Sequence, residues 1–435
     1  MKHPFSGTKA AYVNGILLDG TLDMQPQYGK VILVEGSRIT AISDAGDADL
    51  SGYDVTDLGG RYILPGLINL HVHLPGSGKP TKKPMNLPRI CNIMTSCELG
   101  NRIGCSMVAA NAKNALMAGI TTIRAVGGIS NYDSRVRDDI IRGRRIGPRI
   151  LPANCAISVP GGHMAGTFAY PATGAEEAAA LVDRIAKDHP ALIKLMITGG
   201  IMDSDELGEP GVLRMPEAYI KAACDRAHTL GYRVAAHCEG QAGVRAALKN
   251  GVDTVEHGAA PDAEIISLFK STGACQVLTL SPALPYVRRM PGMFNLSEAA
   301  VKNSEIVADG MVKLAKACLR EGIPVGLGTD SACSYVTQYD LWRELVYFVH
   351  YCNVTPSFAL HTATLINARI AGIDDITGSL QAGKMADMIV VESDPTKDLT
   401  TLRDVKMVVM EGKRIDHPQV KKIPVVEEGL DKILD

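Results

Sequence analysis

The chain has ten cysteines but no Cys-x-x-Cys pair. That absence leaves no cysteine knuckle for a metal and no paired redox motif to read. The cysteines are scattered, and several sit in apolar runs, as Cys275 does in Ala-Cys-Gln-Val-Leu. Reduced, mostly buried thiols in a cytoplasmic protein are the expectation. Aromatic residues are sparse at 5%, with a single Trp. Charge of one sign is lacking too: the formal net charge is −2, so no global field recruits nucleic acid or an anionic membrane. The one basic cluster, Arg135, Arg137, Arg142, Arg144, Arg145 and Arg149, is interleaved with Asp138 and Asp139 and reads as a solvated helix face. No apolar run approaches the ~20 residues that span a bilayer. The opening MKHPFSGTKA has no apolar stretch of the signal-peptide kind.

What is present is length, glycine and alternation. The 435 residues include 43 Gly, enough for many tight turns and for a large barrel with an accessory unit. Residues 1–64 read as short strands: Ala11–Leu18, then Val31–Val34 and Arg38–Ile42 around the turn Glu35-Gly36-Ser37. The far end reads alike, with Met388–Val391, Val405–Met410 and the turn Glu411-Gly412-Lys413. Two strand-rich ends predict a discontinuous β-sandwich made of 1–64 and 378–435, flanking a middle domain at 65–377. That middle alternates. Eight apolar strand candidates are Gly66–His73, Thr121–Val126, Arg149–Ala156, Leu192–Thr198, Arg233–His237, Thr254–His257, Ala274–Leu280 and Pro324–Asp330. Helical patterns separate most of them, and two more helices are expected around 340–351 and 357–371. The fold class read from this is α/β, a (β/α)₈ TIM-type barrel. The irregular stretch Leu74–Cys105 reads as a long loop after the first strand.

Six ionisable residues fall in or at the ends of these strands. His71 and His73 close the first; residues i and i+2 of a strand share a face, so both imidazoles turn inward at the barrel's C-terminal rim. Lys194 sits inside the apolar run Leu192–Ile197 of the fourth strand, His237 ends the fifth, His257 the sixth and Asp330 the eighth. Singly, each has an ordinary explanation: a bonded core His, a snorkelling Lys, an Asp capping a helix. Six at the same end of successive strands point to a metal site, since imidazole and carboxylate suit Zn²⁺ and similar ions. An ammonium group would repel a metal. A buried Lys194 with a lowered pKa, however, can react with CO₂ to give an anionic carbamate with two oxygens.

This set resembles the binuclear-metal members of the amidohydrolase superfamily. The resemblance extends over nearly the whole chain: Leu64-Pro65-Gly66-Leu67-Ile68-Asn69-Leu70-His71-Val72-His73, Gly119-Ile120-Thr121-Thr122-Ile123-Arg124, Gly328-Thr329-Asp330-Ser331 and the stretch Gly378–Asp387 all carry it. Within the superfamily, Ile193–Gly200 and Gly161-Gly162-His163 most resemble the prolidase-like, metal-dependent carboxypeptidase branch, which is related to imidazolonepropionases. The resemblance implies two divalent ions, expected to be zinc. His71, His73 and Asp330 would hold the more buried ion and His237 and His257 the second, with carboxylated Lys194 and a hydroxide between them. Asp330 would act as general base and then acid. The implied reaction is cleavage of an amide bond in a small molecule, such as a dipeptide or N-acyl amino acid, by a homo-oligomer. Cyclic-amide hydrolysis or deamination is an alternative, and so is a non-catalytic scaffold on the same fold.

Three further residues are candidates for substrate contact. His163 lies in a flexible loop after the third strand and either meets substrate or sits on the surface. Arg124, at the end of the second strand, either receives a substrate carboxylate or forms an internal ion pair. Glu239 stands where prolidase-like relatives often carry an aromatic residue or His. It either favours a cationic group or caps the next helix.

Overall fold

The structure, a computed structural model, describes residues 9–83, 85–203, 207–293 and 296–434. The opening residues, His3 among them, lie outside these. The chain divides into two compact units, one of residues 1–69, 113–122 and 339–421, the other of 70–112, 123–338 and 422–435.

The first unit is built on a mixed sheet of eight strands drawn from both ends of the sequence. Its hinge is the antiparallel pairing of Tyr62–Pro65 with Met388–Val391, in register Met388↔Pro65. On one side follow Lys9–Leu17, Gln27–Glu35 and Arg38–Asp44; on the other, Met407–Met410 and Lys413–Asp416. The expected hairpin is present, and its turn needs glycine, since Gly36 has φ 60°. Alternate residues fill one core, including Tyr12, Ile32, Val34, Ile63, Met388 and Val390. This unit also holds Leu341–Cys352 and the broken helix Pro356–Ala371, interrupted by a π-helical turn at Thr362–Ile366.

The barrel strands are Leu67–Val72, Ile120–Ala125, Arg149–Pro152, Leu192–Met196, Arg233–Cys238, Thr254–His257, Cys275–Leu278 and Val325–Leu327. The fourth to eighth pair in parallel, each with the next. The third breaks at Asn154, whose φ is 61°, and resumes as Ala156–Ser158 beside the fourth. The eighth returns to the first through Asp330 N–H donating to His71 O at 2.8 Å and His73 N–H to Ser331 O at 3.2 Å. The first, second and fourth strands are buried at every residue, as strands covered on both faces must be. The outer helices show why the pattern reads as helical. In Ala175–Ala186 the buried residues are Ala178, Leu181, Val182 and Ile185, one stripe at helical spacing. Ala263–Thr272 starts on an Asp262 cap and stops at Gly273 in the left-handed region.

Two expectations change. The stretch 74–105 is not a long loop: Leu87–Thr95 is a helix, and a second runs Glu98–Met117. Asn86 caps the first, accepting from Arg89 N–H, and Pro88 falls in its opening turn, where a missing N–H costs nothing. The domain bounds also shift: residues 65–69, 113–122 and 339–377, read with the barrel, group with the β-unit, while 422–435, read with the β-unit, group with the barrel unit and carry the helix Pro424–Leu430. Among the described residues no helix is long and apolar enough to cross a membrane.

Candidate metal centre

The inward face of the strand ends brings the expected ligands together. His71, His73 and Asp330 each offer an atom within 4.8 Å of the others, and so do His237, Glu239 and His257. Asp330 Oδ1 lies 3.4 Å from His71 Nε2 and 3.2 Å from His73 Nε2. The two trios adjoin: the His71 and His257 rings are 4.9 Å apart, and those of His237 and His257 are 4.6 Å apart. His257 and Asp330 both take left-handed backbone, with φ 66° and 53°. This conformation is unfavourable for residues with a Cβ and is held here by the surrounding barrel.

Each histidine spends one ring nitrogen on the protein. His71 Nδ1 donates to Glu256 at 2.7 Å, and His73 Nδ1 donates to Gly127 O at 2.7 Å. His237 Nε2 donates to Gly199 O at 3.2 Å, and His257 Nδ1 meets Thr279 Oγ1 at 2.6 Å. These bonds fix tautomers so that the other nitrogen faces the cluster, the arrangement metal-ligating histidines adopt. Burial first, then neighbouring cationic groups, holds His237 and His257 well below the usual imidazole range, so both are neutral and able to ligate. Burial would raise Asp330, but the histidines around it, His71 foremost, hold it well below the usual carboxylate range.

Lys194 is 1% exposed, and its Nζ has no hydrogen-bond partner among the described residues. Burial lowers its pKa to about 8 against the opposing pull of Glu256 and Asp330. Its charge is felt at both His237 and His257. A buried amine among ligands, with a lowered pKa and no bond of its own among the described residues, is the group the CO₂ chemistry requires. The donor set therefore fits two divalent ions on chemical grounds: four imidazoles, the Asp330 carboxylate, and a buried amine with no partner among the described residues.

Comparison with known proteins agrees. The chain matches the amidohydrolase family over residues 62–415. It belongs to that family. A Bifidobacterium longum protein assigned as a candidate prolidase superposes with a TM-score of 0.85 at 30% identity, covering 99% of this chain and 100% of that one. A Xaa-Pro dipeptidase crystallised with methionine in its active site gives a TM-score of 0.82 at 27% identity, covering 94% and 100%. Ochratoxinase of Aspergillus niger is 25% identical over 91% of this chain and 83% of its own. The chain is thus a hydrolytic enzyme with the (β/α)₈ architecture of this family, and members of the amidohydrolase family usually bind metal ions.

The three substrate candidates of this amidohydrolase fare differently. Arg124 does not face the barrel mouth. It is 4% exposed, its Nη2 donates to Glu256 at 2.7 and 2.9 Å, and its Nε donates to Leu70 O at 2.6 Å. The internal ion pair is the role realised, because Glu256 supplies a buried carboxylate directly within reach. His163 does reach the site: its ring stacks on His237 at 4.3 Å, and its Nδ1 is bonded to Asp203. Glu239 does not cap the following helix, Gln241–Lys249, which has no side-chain cap. Its backbone N–H donates to Thr198 Oγ1 at 3.1 Å, and its Oε2 is buried without a partner among the described residues. Burial, then Asp330 and Asp203, pushes its carboxyl well above the usual range. A buried carboxyl among carboxylates becomes an anion only when a cation arrives.

Sequence reasoning missed Glu256, Thr279, Asp203 and the Gly127 carbonyl. Glu256 alone had a signal. It shares a face with Thr254 and is a lone carboxylate in a strand otherwise written for burial.

Proposed function

We propose that the enzyme hydrolyses the amide bond of a C-terminal amino acid in a dipeptide or N-acyl amino acid, using two zinc ions. His71, His73 and Asp330 would hold one ion and His237 and His257 the other, and Lys194, as its carbamate, would supply a further anionic ligand. The observation that carries this reading is the pair of adjoining ligand trios with an unpartnered buried lysine among them. Lys194 as neutral amine attacks CO₂, forming the N–C bond and releasing one proton. Bound there, the ions supply Lewis acidity to a carbonyl oxygen and to water. Asp330, ionised and facing the ligand cluster, accepts the water proton at a carboxylate oxygen and returns it to the departing amine nitrogen. His163, steadied by Asp203 beside His237, receives the substrate's free carboxylate, and Glu239 faces a positively charged group. The dipeptidase relative with methionine in its active site supports an amino acid as one product. All ten cysteines are free thiols, in keeping with a reducing, cytoplasmic setting. One peptide with a free or an amidated C-terminus tests the substrate class. The free form is expected to show kcat/KM higher by about tenfold or more, in keeping with a charge-assisted contact. Equal values would remove the C-terminal assignment.

A further inference from the structure

We propose that Glu256, held by Arg124 and Thr254, is a positioning residue that makes the His71 site the tighter of the two metal sites. The inference rests on the reading of His71 as a metal ligand. Glu256 is fully buried, at 0% exposure. Three groups converge on it. His71 Nδ1 stands 2.7 Å from Oε2, Thr254 Oγ1 donates to Oε1 at 2.6 Å, and Arg124 Nη2 spans both oxygens. Arg124 also grips the first strand, donating through Nε to the carbonyl of Leu70, the residue before His71. The assembly therefore ties the second and sixth strands to the first beside its leading ligand.

The four histidines are not treated alike. His73 and His237 donate to neutral backbone carbonyls, and His257 meets a hydroxyl. Thr279 donates that hydroxyl's hydrogen to Met311 Sδ, at 3.8 Å, so it is the acceptor from His257. Among these four, His71 is the one whose outer nitrogen meets a carboxylate. A carboxylate on Nδ1–H places negative charge behind the ring and makes Nε2 a stronger donor toward a cation. It also opposes rotation of the ring. A carbonyl or hydroxyl fixes the tautomer but adds no charge. Arg124 keeps Glu256 from being an uncompensated buried charge. Its Nη2 touches both carboxylate oxygens, which with the Thr254 hydroxyl further opposes the carboxylate's turning away. Two ions on otherwise similar donors should then differ in affinity, the one on His71, His73 and Asp330 being held more firmly.

The test is zinc titration of the apoprotein against a chromophoric chelator, comparing wild type with Glu256→Gln. The amide keeps an oxygen to accept from His71 but removes the charge. Wild type is expected to bind two ions in distinct steps. Glu256→Gln should weaken the tighter step by about 10- to 100-fold and leave the weaker step within about twofold. Melting of both apoproteins, followed in parallel, separates this from a packing defect, which would lower the melting temperature without narrowing the gap between the steps. Two unchanged steps in Glu256→Gln would overturn the inference while leaving the metal centre intact. Fewer than two ions on wild type would overturn the metal reading and this inference with it. If Glu256→Gln does not fold, nitrogen-15 spectra of zinc-loaded wild type decide. His71 is expected to be protonated at Nδ1, with that proton the furthest downfield of the four histidines. A His71 proton in the range of His73 would overturn the proposal.

Discussion

Burial lowers Lys194 to about 8, so near pH 7 roughly a tenth of the amine is already neutral, by the usual titration relation. Carbamate formation consumes the neutral form, so occupancy should rise as pH climbs through about 8. Metal-free protein exposed to carbon-13-labelled CO₂, at fixed dissolved CO₂, should show a carbamate signal that grows between pH 6 and pH 9. The signal should be missing in Lys194→Ala. A wild-type signal equal to that of the variant would discard the bridge. Asp330 is the other residue whose chemistry is exposed to direct test. Its carboxylate lies within 3.4 Å of His71 and 3.2 Å of His73, so on the proposed mechanism Asp330→Asn would lose both a ligand charge and the proton acceptor. Steady-state kinetics should show kcat down by about three orders of magnitude or more. A loss of less than about tenfold would mean that the proton passes elsewhere.

Strands position these residues, and how closely they approach is set by small side chains. A Cβ on Gly328 would lie 2.4 Å from His71 Cβ and 2.6 Å from its backbone nitrogen, so the eighth strand can lie against the first only with glycine there. Gly328→Ala should cost about 1–3 kcal/mol of stability, as overpacking commonly does. It should also weaken zinc binding, since His71 would be displaced. Chemical unfolding of the metal-free variant checks the first part, and wild-type stability would contradict this account of the strand contact. At this scale the sequence was readable where period and punctuation agreed. The buried strand runs, the Gly36 turn and the Asp262-to-Gly273 helix each carry a local signature. It was less readable where partners came from distant strands. Arg124 looks the same in sequence whether it meets a substrate or Glu256, 132 residues away, and only the folded arrangement of the strands decides. The helix at Leu87–Thr95 was hidden behind Pro and Gly in the same stretch, although Asn86 and Pro88 were the start signal.

The molecule comprises a barrel unit that carries the candidate metal centre and a β-unit made from both ends of the chain. The candidate ligands that the structure brings together could be picked out in the sequence because metal chemistry restricts residue type and barrel strands restrict position. Substrate choice could not, because it depends on loops such as those bearing His163 and Asp203, whose meeting no spacing rule encodes. The central claim is that the six residues His71, His73, Lys194, His237, His257 and Asp330 form one binuclear centre. Elemental analysis of zinc-saturated protein, after removal of free metal, tests it most directly. The account predicts two zinc ions per chain in wild type and no more than one in Lys194→Ala; a single ion per chain in saturated wild type would contradict it.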